Sequence, residues 1–163
     1  VLADRVIPPS TADIVAMRQA IEVASPTGQD IPVGALVLDS SGAVIAAAGN
    51  ERQARQDPTA HAEILVLRAA AQHLGGWRLT GCTLVVTLEP CPMCAGAAAL
   101  ARVQRVVFGA WNPDYGACGS CWDIPRDRRM AHRPEVVGGV LAQECGTLVR
   151  DFLERSRDAM KWR

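Results

Sequence analysis

The chain has 163 residues, of which 49% are hydrophobic, so it is long enough to bury a core as a single domain over residues 1–163. Its 17 basic and 17 acidic residues cancel, so no overall positive field draws it to nucleic acid. Neither a secretory signal nor a membrane-spanning apolar segment is evident, which predicts a soluble, cytoplasmic protein. Residues 1–9 are expected to form a flexible N-terminal segment and residues 158–163 a basic C-terminal tail.

The first part of the chain predicts a helix followed by a hairpin. Apolar residues at helical spacing indicate a helix over residues 11–24, capped by Ser10 or Thr11. Two apolar runs, at residues 33–38 and 43–48, then predict a pair of strands. The short turn between these runs contains a glycine and favours a hairpin.

The middle of the chain predicts a strand, helix, strand unit. A first helix is expected after Asp57-Pro58-Thr59, which offers both a cap and a turn, and is expected to end near Gly75-Gly76. A buried strand over residues 83–88 follows, then a second helix that opens at Pro92 and another strand over residues 103–108. A unit of this length implies two parallel strands with a right-handed crossover, so functional groups are expected at their carboxyl edge.

The last part of the chain predicts a short strand over residues 136–140 and a closing helix over residues 141–157. The inward face of that helix is expected to carry Leu141, Cys145, Leu148, Val149, Phe152 and Leu153.

Two short motifs, His61-Ala62-Glu63 and Pro90-Cys91-Pro92-Met93-Cys94, carry the chemistry. One His and two Cys are three ligands for zinc, which leaves the fourth tetrahedral position to a water. A Cys-x-x-Cys alone fits a redox pair or half of a structural zinc site equally well. The two motifs together, in this order, match the zinc deaminase signature. We therefore predict one Zn²⁺ per subunit, held by His61, Cys91 and Cys94, with Glu63 as proton carrier.

The other four cysteines are expected to be thiols of a reducing compartment, because a chain of this length needs no disulfide framework. Cys118 and Cys121 form a second Cys-x-x-Cys. We interpret it as a glycine-rich loop with two incidental thiols, because no second pair of ligands is evident.

Further blocks extend the pattern from about Met17 to Leu153. They are Ile31-Pro32-Val33-Gly34-Ala35, Asn50, Asp57-Pro58-Thr59, Thr87-Leu88-Glu89, Arg105-Val106-Val107-Phe108-Gly109-Ala110, Gly116-Ala117 and His132-Arg133. With these blocks the chain resembles the bacterial tRNA-specific adenosine deaminases of the cytidine deaminase superfamily.

The resemblance implies a three-layer α/β/α fold, in which helices flank a central mixed five-stranded sheet, and makes residues 1–163 a single deaminase domain. It implies a homodimer that converts the wobble adenosine of a tRNA anticodon stem-loop to inosine. A zinc-bound hydroxide is expected to attack C6 of adenine while Glu63 shuttles the protons.

The resemblance also implies a set of substrate-binding residues. The Asn50 side chain and the Ala62 backbone are expected to read the edge of the base, with Val33, Pro90 and Asn112 completing the contacts. A turn cap after the hairpin is the structural alternative for Asn50.

Asn112 departs from the family, which has an aspartate there, close to a nucleotide sugar. A carboxylate can accept a hydrogen bond from a ribose 2′-OH, the group that distinguishes RNA from DNA. Our hypothesis is that Asn112 weakens this discrimination, with Asp114 as an alternative acceptor.

Basic residues concentrate in the second part of the chain. Up to Ala101 there are six basic and nine acidic residues, whereas from Arg102 onward there are eleven and eight. RNA binding is therefore expected there, with an ordinary solvated surface as the alternative. Phe152 is expected either to stack on a base or to pack in the core. The basic candidates are Arg126, Arg128, Arg129 and Arg133, and, in the last helix and tail, Arg150, Arg155, Arg157, Lys161 and Arg163.

Two other functions stay open at this point. The zinc chemistry also suits a deaminase of a free base or nucleoside, such as guanine or cytosine. A non-catalytic RNA-binding subunit could keep zinc for stability alone, and the presence of Glu63 argues against it.

Overall fold

The computed structural model describes residues 7–24 and 28–161, with side chains described up to residue 157. Residues 1–6 of the expected N-terminal segment and the side chains of the expected tail therefore lie outside the described residues. No helix in these ranges is both long and apolar enough to cross a membrane. The elements are α1 (Thr11–Val23), β1 (Gly34–Leu38), β2 (Val44–Gly49), α2 (Arg52–Arg55), α3 (Ala62–Leu74), β3 (Thr83–Leu88), α4 (Pro92–Leu100), β4 (Arg105–Ala110), a 3₁₀ turn (Ile124–Arg126), β5 (Glu135–Val137) and α5 (Ala142–Lys161).

A mixed five-stranded sheet with strand order β2-β1-β3-β4-β5 forms the middle layer. Strand β1 runs antiparallel to both β2 and β3, whereas β3, β4 and β5 are parallel. Helices α1 and α5 pack on one face, and α3 and α4 pack on the other. The predicted parallel pair and the predicted three-layer fold are confirmed.

The apolar side chains of β3 and β4 explain why both faces are covered. Val86 and Phe108 lie in the core under α3 and α4, whereas Val85 and Val107 lie in the core under α1 and α5. Alternate residues of a strand point to opposite faces, so a continuous apolar run needs helices on both sides. Because helices cover both faces, a functional site is expected at an end of the strands, and in open α/β sheets this is the carboxyl end.

The prediction that Leu153 faces inward is wrong, because 42% of this residue is exposed. Helix α5 has 20 residues and therefore spans about 30 Å, whereas the six residues of β4 span about 20 Å. The second half of α5 thus extends past the sheet. Cys145, in its first half, is fully buried against the strands.

Helix α1 begins with a capping box, and the carboxylate of this box also forms an ion pair with the sheet. Ser10 caps the helix and exchanges hydrogen bonds with Asp13. The Asp13 carboxylate, 4% exposed, also accepts hydrogen bonds of 3.0 and 3.2 Å from the Arg105 guanidinium on β4. Burial raises the pKa of Asp13, but the hydrogen bonds from Arg105 and Ser10 outweigh it and hold the pKa below its usual value.

Asp13→Asn is expected to lower the free energy of unfolding by about 2 kcal/mol at pH 7, because Arg105 loses its hydrogen bonds to a buried charged group but keeps its ion pair with Glu135. The pKa of Asp13 is about 4 in the unfolded chain and lower in the folded chain. The ionised carboxylate therefore stabilises the fold at pH values above about 4, and this stabilisation disappears as the pH falls through the pKa of the folded state. The difference between the two proteins should therefore shrink at pH 3 in urea titrations.

Glu144→Gln is the matched control, because it removes an exposed ion pair with Arg18. Its cost is expected to stay below about 1 kcal/mol. Equal unfolding free energies for Asp13→Asn and the native chain at pH 7 would contradict the prediction.

Candidate metal centre

The site lies where β3 ends and two helices begin. His61 is the N-cap of α3, and Cys91 is the N-cap of α4. Both caps have extended backbones, with φ and ψ of −69° and 150° for His61 and −73° and 172° for Cys91, and neither side chain bonds to its own helix. The two side chains are therefore free to face each other, with Cys94 in the first turn of α4.

The turn before α3 is also as predicted, although its role differs slightly. Asp57 Oδ1 accepts hydrogen bonds from Thr59 N at 2.8 Å and from Thr59 Oγ1 at 2.7 Å. Asp57 therefore closes the turn but does not cap the helix. This turn leaves His61 at the helix start, aimed across to α4.

The three donors fit zinc. Cys91 Sγ and Cys94 Sγ lie 3.7 and 3.5 Å from His61 Nδ1, and all three ligand atoms lie within 4.8 Å of one another. Tetrahedral coordination with Zn–S of about 2.3 Å and Zn–N of about 2.0 Å separates ligand atoms by about 3.5–3.8 Å. The donor set and its spacing therefore match a zinc site with a free fourth position.

Cys118 and Cys121 do not add a second site among the described residues, whose His, Cys, Asp and Glu side chains form one metal-donor group only. Cys118 is buried, whereas Cys121 is exposed and donates to the Pro113 carbonyl at 3.0 Å. All six cysteines of the chain are free.

The electrostatics of the site favour a bound metal and a buried proton carrier. The hydrogen bond from the Cys94 thiol, assisted by His61, lowers the pKa of Cys91 to about 4 against the cost of burial. The thiolate is the form that binds metal ions. Glu63 is 5% exposed, and its burial raises the pKa of its carboxyl. A carboxyl group with a raised pKa holds its proton more firmly than an exposed one, which suits a group that accepts and returns protons during a reaction.

A cleft of about 640 Å³ opens above the donors and is lined by His61, Glu63 and Cys91. Four of the five predicted substrate-binding residues also line it, namely Val33, Asn50, Ala62 and Asn112. Pro90 is not in this lining; it is buried, and its carbonyl accepts a hydrogen bond of 2.8 Å from Ala117 N.

Asn50 follows β2 and has one side-chain atom unpaired. Its Nδ2 donates to the Ile31 carbonyl at 3.3 Å, whereas its buried Oδ1 has no hydrogen-bond partner among the described residues. Buried polar atoms are normally paired, so an unpaired acceptor in the wall of a cleft is available to a ligand. The turn-cap alternative does not account for this atom.

The side-chain oxygen of Asn112 accepts hydrogen bonds from its own loop. Its Oδ1 accepts hydrogen bonds from Asp114 N at 3.3 Å and Tyr115 N at 3.1 Å. The oxygen is therefore already engaged, and the amide Nδ2 remains for a ligand. Asp114 is exposed and is not among the residues that line the cleft.

The predicted RNA-binding residues lie outside the cleft. Arg126 pairs with Asp123 at 2.8 Å and Arg129 pairs with Asp127 at 2.6 Å, so their charges are largely balanced. Arg128 is exposed on the same loop. Arg133 is exposed and follows His132, whose Nε2 lies 2.6 Å from the Val103 carbonyl at the opposite edge of the sheet. Phe152 is half-buried and Arg155 is exposed, both on the second half of α5.

Three functional candidates escaped sequence reasoning. Arg52, Glu89 and Tyr115 all line the cleft. Glu89 stands in the Thr-Leu-Glu-Pro-Cys block, but its partners lie 23 to 31 residues away along the chain. No local pattern identifies such contacts.

Comparison with known proteins agrees with this geometry. Residues 10–110 match the family model of the cytidine and deoxycytidylate deaminase zinc-binding region. The tRNA-specific adenosine deaminase of Bacillus subtilis is 46% identical over 153 residues, which cover 93% of this chain and 94% of that protein.

Solved structures show the same relationship. A structure from work on A-to-I editing by tRNA:A34 deaminases superposes with a TM-score of 0.78 at 39% identity, over 82% of this chain and 98% of that one. The guanine deaminase of Nitrosomonas europaea superposes with a TM-score of 0.68 at 27% identity, over 93% of this chain and 97% of that one. The chain therefore belongs to the zinc-binding cytidine and deoxycytidylate deaminase family and, within it, to the tRNA-specific adenosine deaminases.

Proposed function

We propose that this protein deaminates adenosine to inosine at the wobble position of a tRNA anticodon, with one zinc ion per subunit. The observation that carries the proposal is the buried Glu63 beside three metal donors at the base of an open cleft. The 46% identity with a tRNA-specific adenosine deaminase, over nearly the whole chain, supports this substrate over a free base.

The reaction replaces the amino group on C6 of adenine with an oxygen from water and releases ammonia. Zinc bound by His61, Cys91 and Cys94 supplies an activated water as the nucleophile. The Glu63 carboxylate would take one proton from this water and deliver it to the ring nitrogen beside C6. It would then take the proton of the added hydroxyl group and deliver it to the amine, which leaves as ammonia. Its burial keeps bulk water away from these transfers.

Asn50 and Ala62 are placed to hold the base. The free Oδ1 of Asn50 can accept a hydrogen bond from an exocyclic amino group. Ala62 is the first residue of α3, and the N–H groups in the first turn of a helix have no intrahelical partner. These two groups would orient the base over Glu63.

Arg52 is the candidate phosphate contact at the mouth of the cleft. It is exposed, lines the cleft, and forms no ion pair among the described residues. Because the substrate is a polyanion, an unpaired guanidinium beside the base pocket would bind a neighbouring phosphate.

Arg52→Gln is expected to raise KM for an anticodon stem-loop about tenfold, the loss of one charge-assisted contact, and to leave kcat for the same stem-loop unchanged. Steady-state kinetics at two salt concentrations measure both effects. Arg55→Gln is the matched control, because Arg55 is one turn away and already paired with Glu51. Equal increases in KM for both variants would contradict the assignment.

Asn112→Asp tests the proposed weak discrimination between RNA and DNA. Aspartate has the same shape and can keep the backbone hydrogen bonds that Asn112 accepts, while it offers a second oxygen to a ribose 2′-OH. The ratio of kcat/KM for matched RNA and deoxyribose hairpins should rise about tenfold. Asp114→Asn is the control, and an unchanged ratio in Asn112→Asp would reject the hypothesis.

The function itself is tested by single-turnover inosine formation, measured by mass spectrometry, on an anticodon stem-loop with a wobble adenosine. Free adenosine, cytidine and guanine are run in parallel. Inosine in the stem-loop alone is the expected result. Turnover of a free base or nucleoside without the stem-loop would establish a metabolic deaminase, and zinc binding without any turnover would establish the non-catalytic alternative.

The proposal extends to a cytoplasmic homodimer. Helix α4 exposes Met93 (37%) and Leu100 (69%), and a side chain at Gly96 would meet open space. An apolar surface of this kind, on a helix that carries two metal ligands, suits a second copy of the chain. Sedimentation velocity should give a mass of twice 17.4 kDa at micromolar concentration.

A further inference from the structure

Glu89 is a buried carboxylate with no cationic partner. It is 1% exposed and forms no ion pair among the described residues. Its Oε1 accepts hydrogen bonds of 3.0 Å from both Cys118 N and Ser120 N. Its Oε2 accepts one of 3.0 Å from Asn112 N and another from Ser120 Oγ. A buried charge is tolerated only when its hydrogen bonds are satisfied, and here one loop supplies all four donors.

The loop over residues 112–120 is shaped around this carboxylate. A Cβ atom on Gly116 would lie 2.2 Å from Glu89 Oε2, so only glycine permits such a close approach. A further bond of 2.8 Å runs from Ala117 N to the Pro90 carbonyl. The loop is therefore fastened to residues 89 and 90, directly before the metal ligand Cys91.

The same loop forms part of the rim of the cleft. Asn112 and Tyr115 both line the cleft, and Tyr115 is 66% exposed. The amide N–H of Asn112 is itself one of the four donors to Glu89. Any loss of the Glu89 bonds would therefore free the segment that faces the substrate, while His61, Cys91, Cys94 and Glu63 stay in place.

We propose that Glu89 is a positioning residue that holds the 112–120 loop in the conformation in which Asn112 and Tyr115 contact the bound nucleotide. It determines how tightly the substrate binds and does not take part in the chemical step. This role of Glu89 depends on the proposed function in one respect only, namely that the substrate is a nucleotide.

Glu89→Gln is the decisive variant. Glutamine has the same shape and keeps one acceptor oxygen, but its amide group would face the Asn112 N–H, so that bond is lost. KM for the anticodon stem-loop is expected to rise about tenfold, the cost of one lost hydrogen bond to a charged group, with kcat changed less than about threefold. Zinc content should stay at one per chain. Hydrogen exchange in peptides covering residues 112–120 should accelerate, with no change in those covering α5.

Two further variants separate positioning from general stability. Asp13→Asn removes a second buried carboxylate, at the far edge of the sheet, and should lower stability without raising KM. Ser120→Ala removes only the hydroxyl donor and leaves three N–H donors, so its KM should fall between those of the native chain and Glu89→Gln. It also supplies the test if Glu89→Gln does not fold.

The proposal would be overturned if Glu89→Gln changed neither KM nor hydrogen exchange in the 112–120 loop. It would also be overturned if this variant lowered kcat alone. If the native chain fails to act on the stem-loop, the proposed function fails. The hydrogen-exchange measurement on residues 112–120 still decides the role of Glu89. KM is then measured with the substrate that the native chain does convert.

Discussion

Replacing Glu63 with alanine is expected to lower the rate of inosine formation about 10³-fold or more, with zinc still bound. Two carboxylates line the cleft among the described residues. Glu89 accepts four hydrogen bonds from residues 112–120, which leaves Glu63 as the carboxylate that can exchange protons with a substrate. The variant removes the group that moves protons and keeps all three metal donors. Single-turnover kinetics and metal analysis of the same preparation measure both quantities.

The control for Glu63→Ala is Glu89→Gln, which alters the other carboxylate of the cleft and should keep kcat within about threefold. Retained turnover in Glu63→Ala would show that the proton carrier lies elsewhere, and would remove the mechanistic basis of the proposed function.

Cys94→Ala is expected to abolish both zinc binding and activity. Cys94 is 0% exposed and lies 3.5 Å from His61 Nδ1, and it belongs to the one group of three metal donors that the described residues form. Metal binding is coupled to folding, so the variant should also unfold at lower denaturant concentration. Zinc content should fall from about one per chain to near zero.

Cys118→Ala is the matched control for this variant, because Cys118 is also a buried free thiol. It removes a similar volume from the core but no metal donor, so zinc content and turnover should be retained. Full zinc content in Cys94→Ala would contradict the assignment of the ligands.

The metal donors could be predicted from the sequence because their placement is local. A turn at Asp57 precedes α3, and Pro92 opens α4, so each ligand motif includes the start of its own helix. The strand Thr83–Leu88 has the predicted bounds, and its four central residues are buried. Because a strand of this kind must be buried on both faces, the site is confined to the end of β3.

The rim of the cleft could not be predicted in the same way. Arg52 lies on the four-residue helix α2, which is too short to show a helical pattern. The bonds from Asn112, Cys118 and Ser120 to Glu89 join residues that are distant in sequence. Likewise, charge counts identified the arginines of residues 126–129 but not the ion pairs with Asp123 and Asp127 that balance two of them.

Because of the position of β3 in the sheet, mutations can change the wall of the cleft without changing the metal centre. Strand β3 is the central strand, bonded to β1 on one side and to β4 on the other, and two of the three metal ligands, Cys91 and Cys94, follow directly from its end. Four further residues of the cleft wall stand instead in the loop regions after β2 and β4, namely Asn50, Arg52, Asn112 and Tyr115. Substitutions in these loops can therefore redirect the enzyme to a new base while the hydrolytic centre survives intact. A guanine deaminase built on the same fold is an expected product of such divergence.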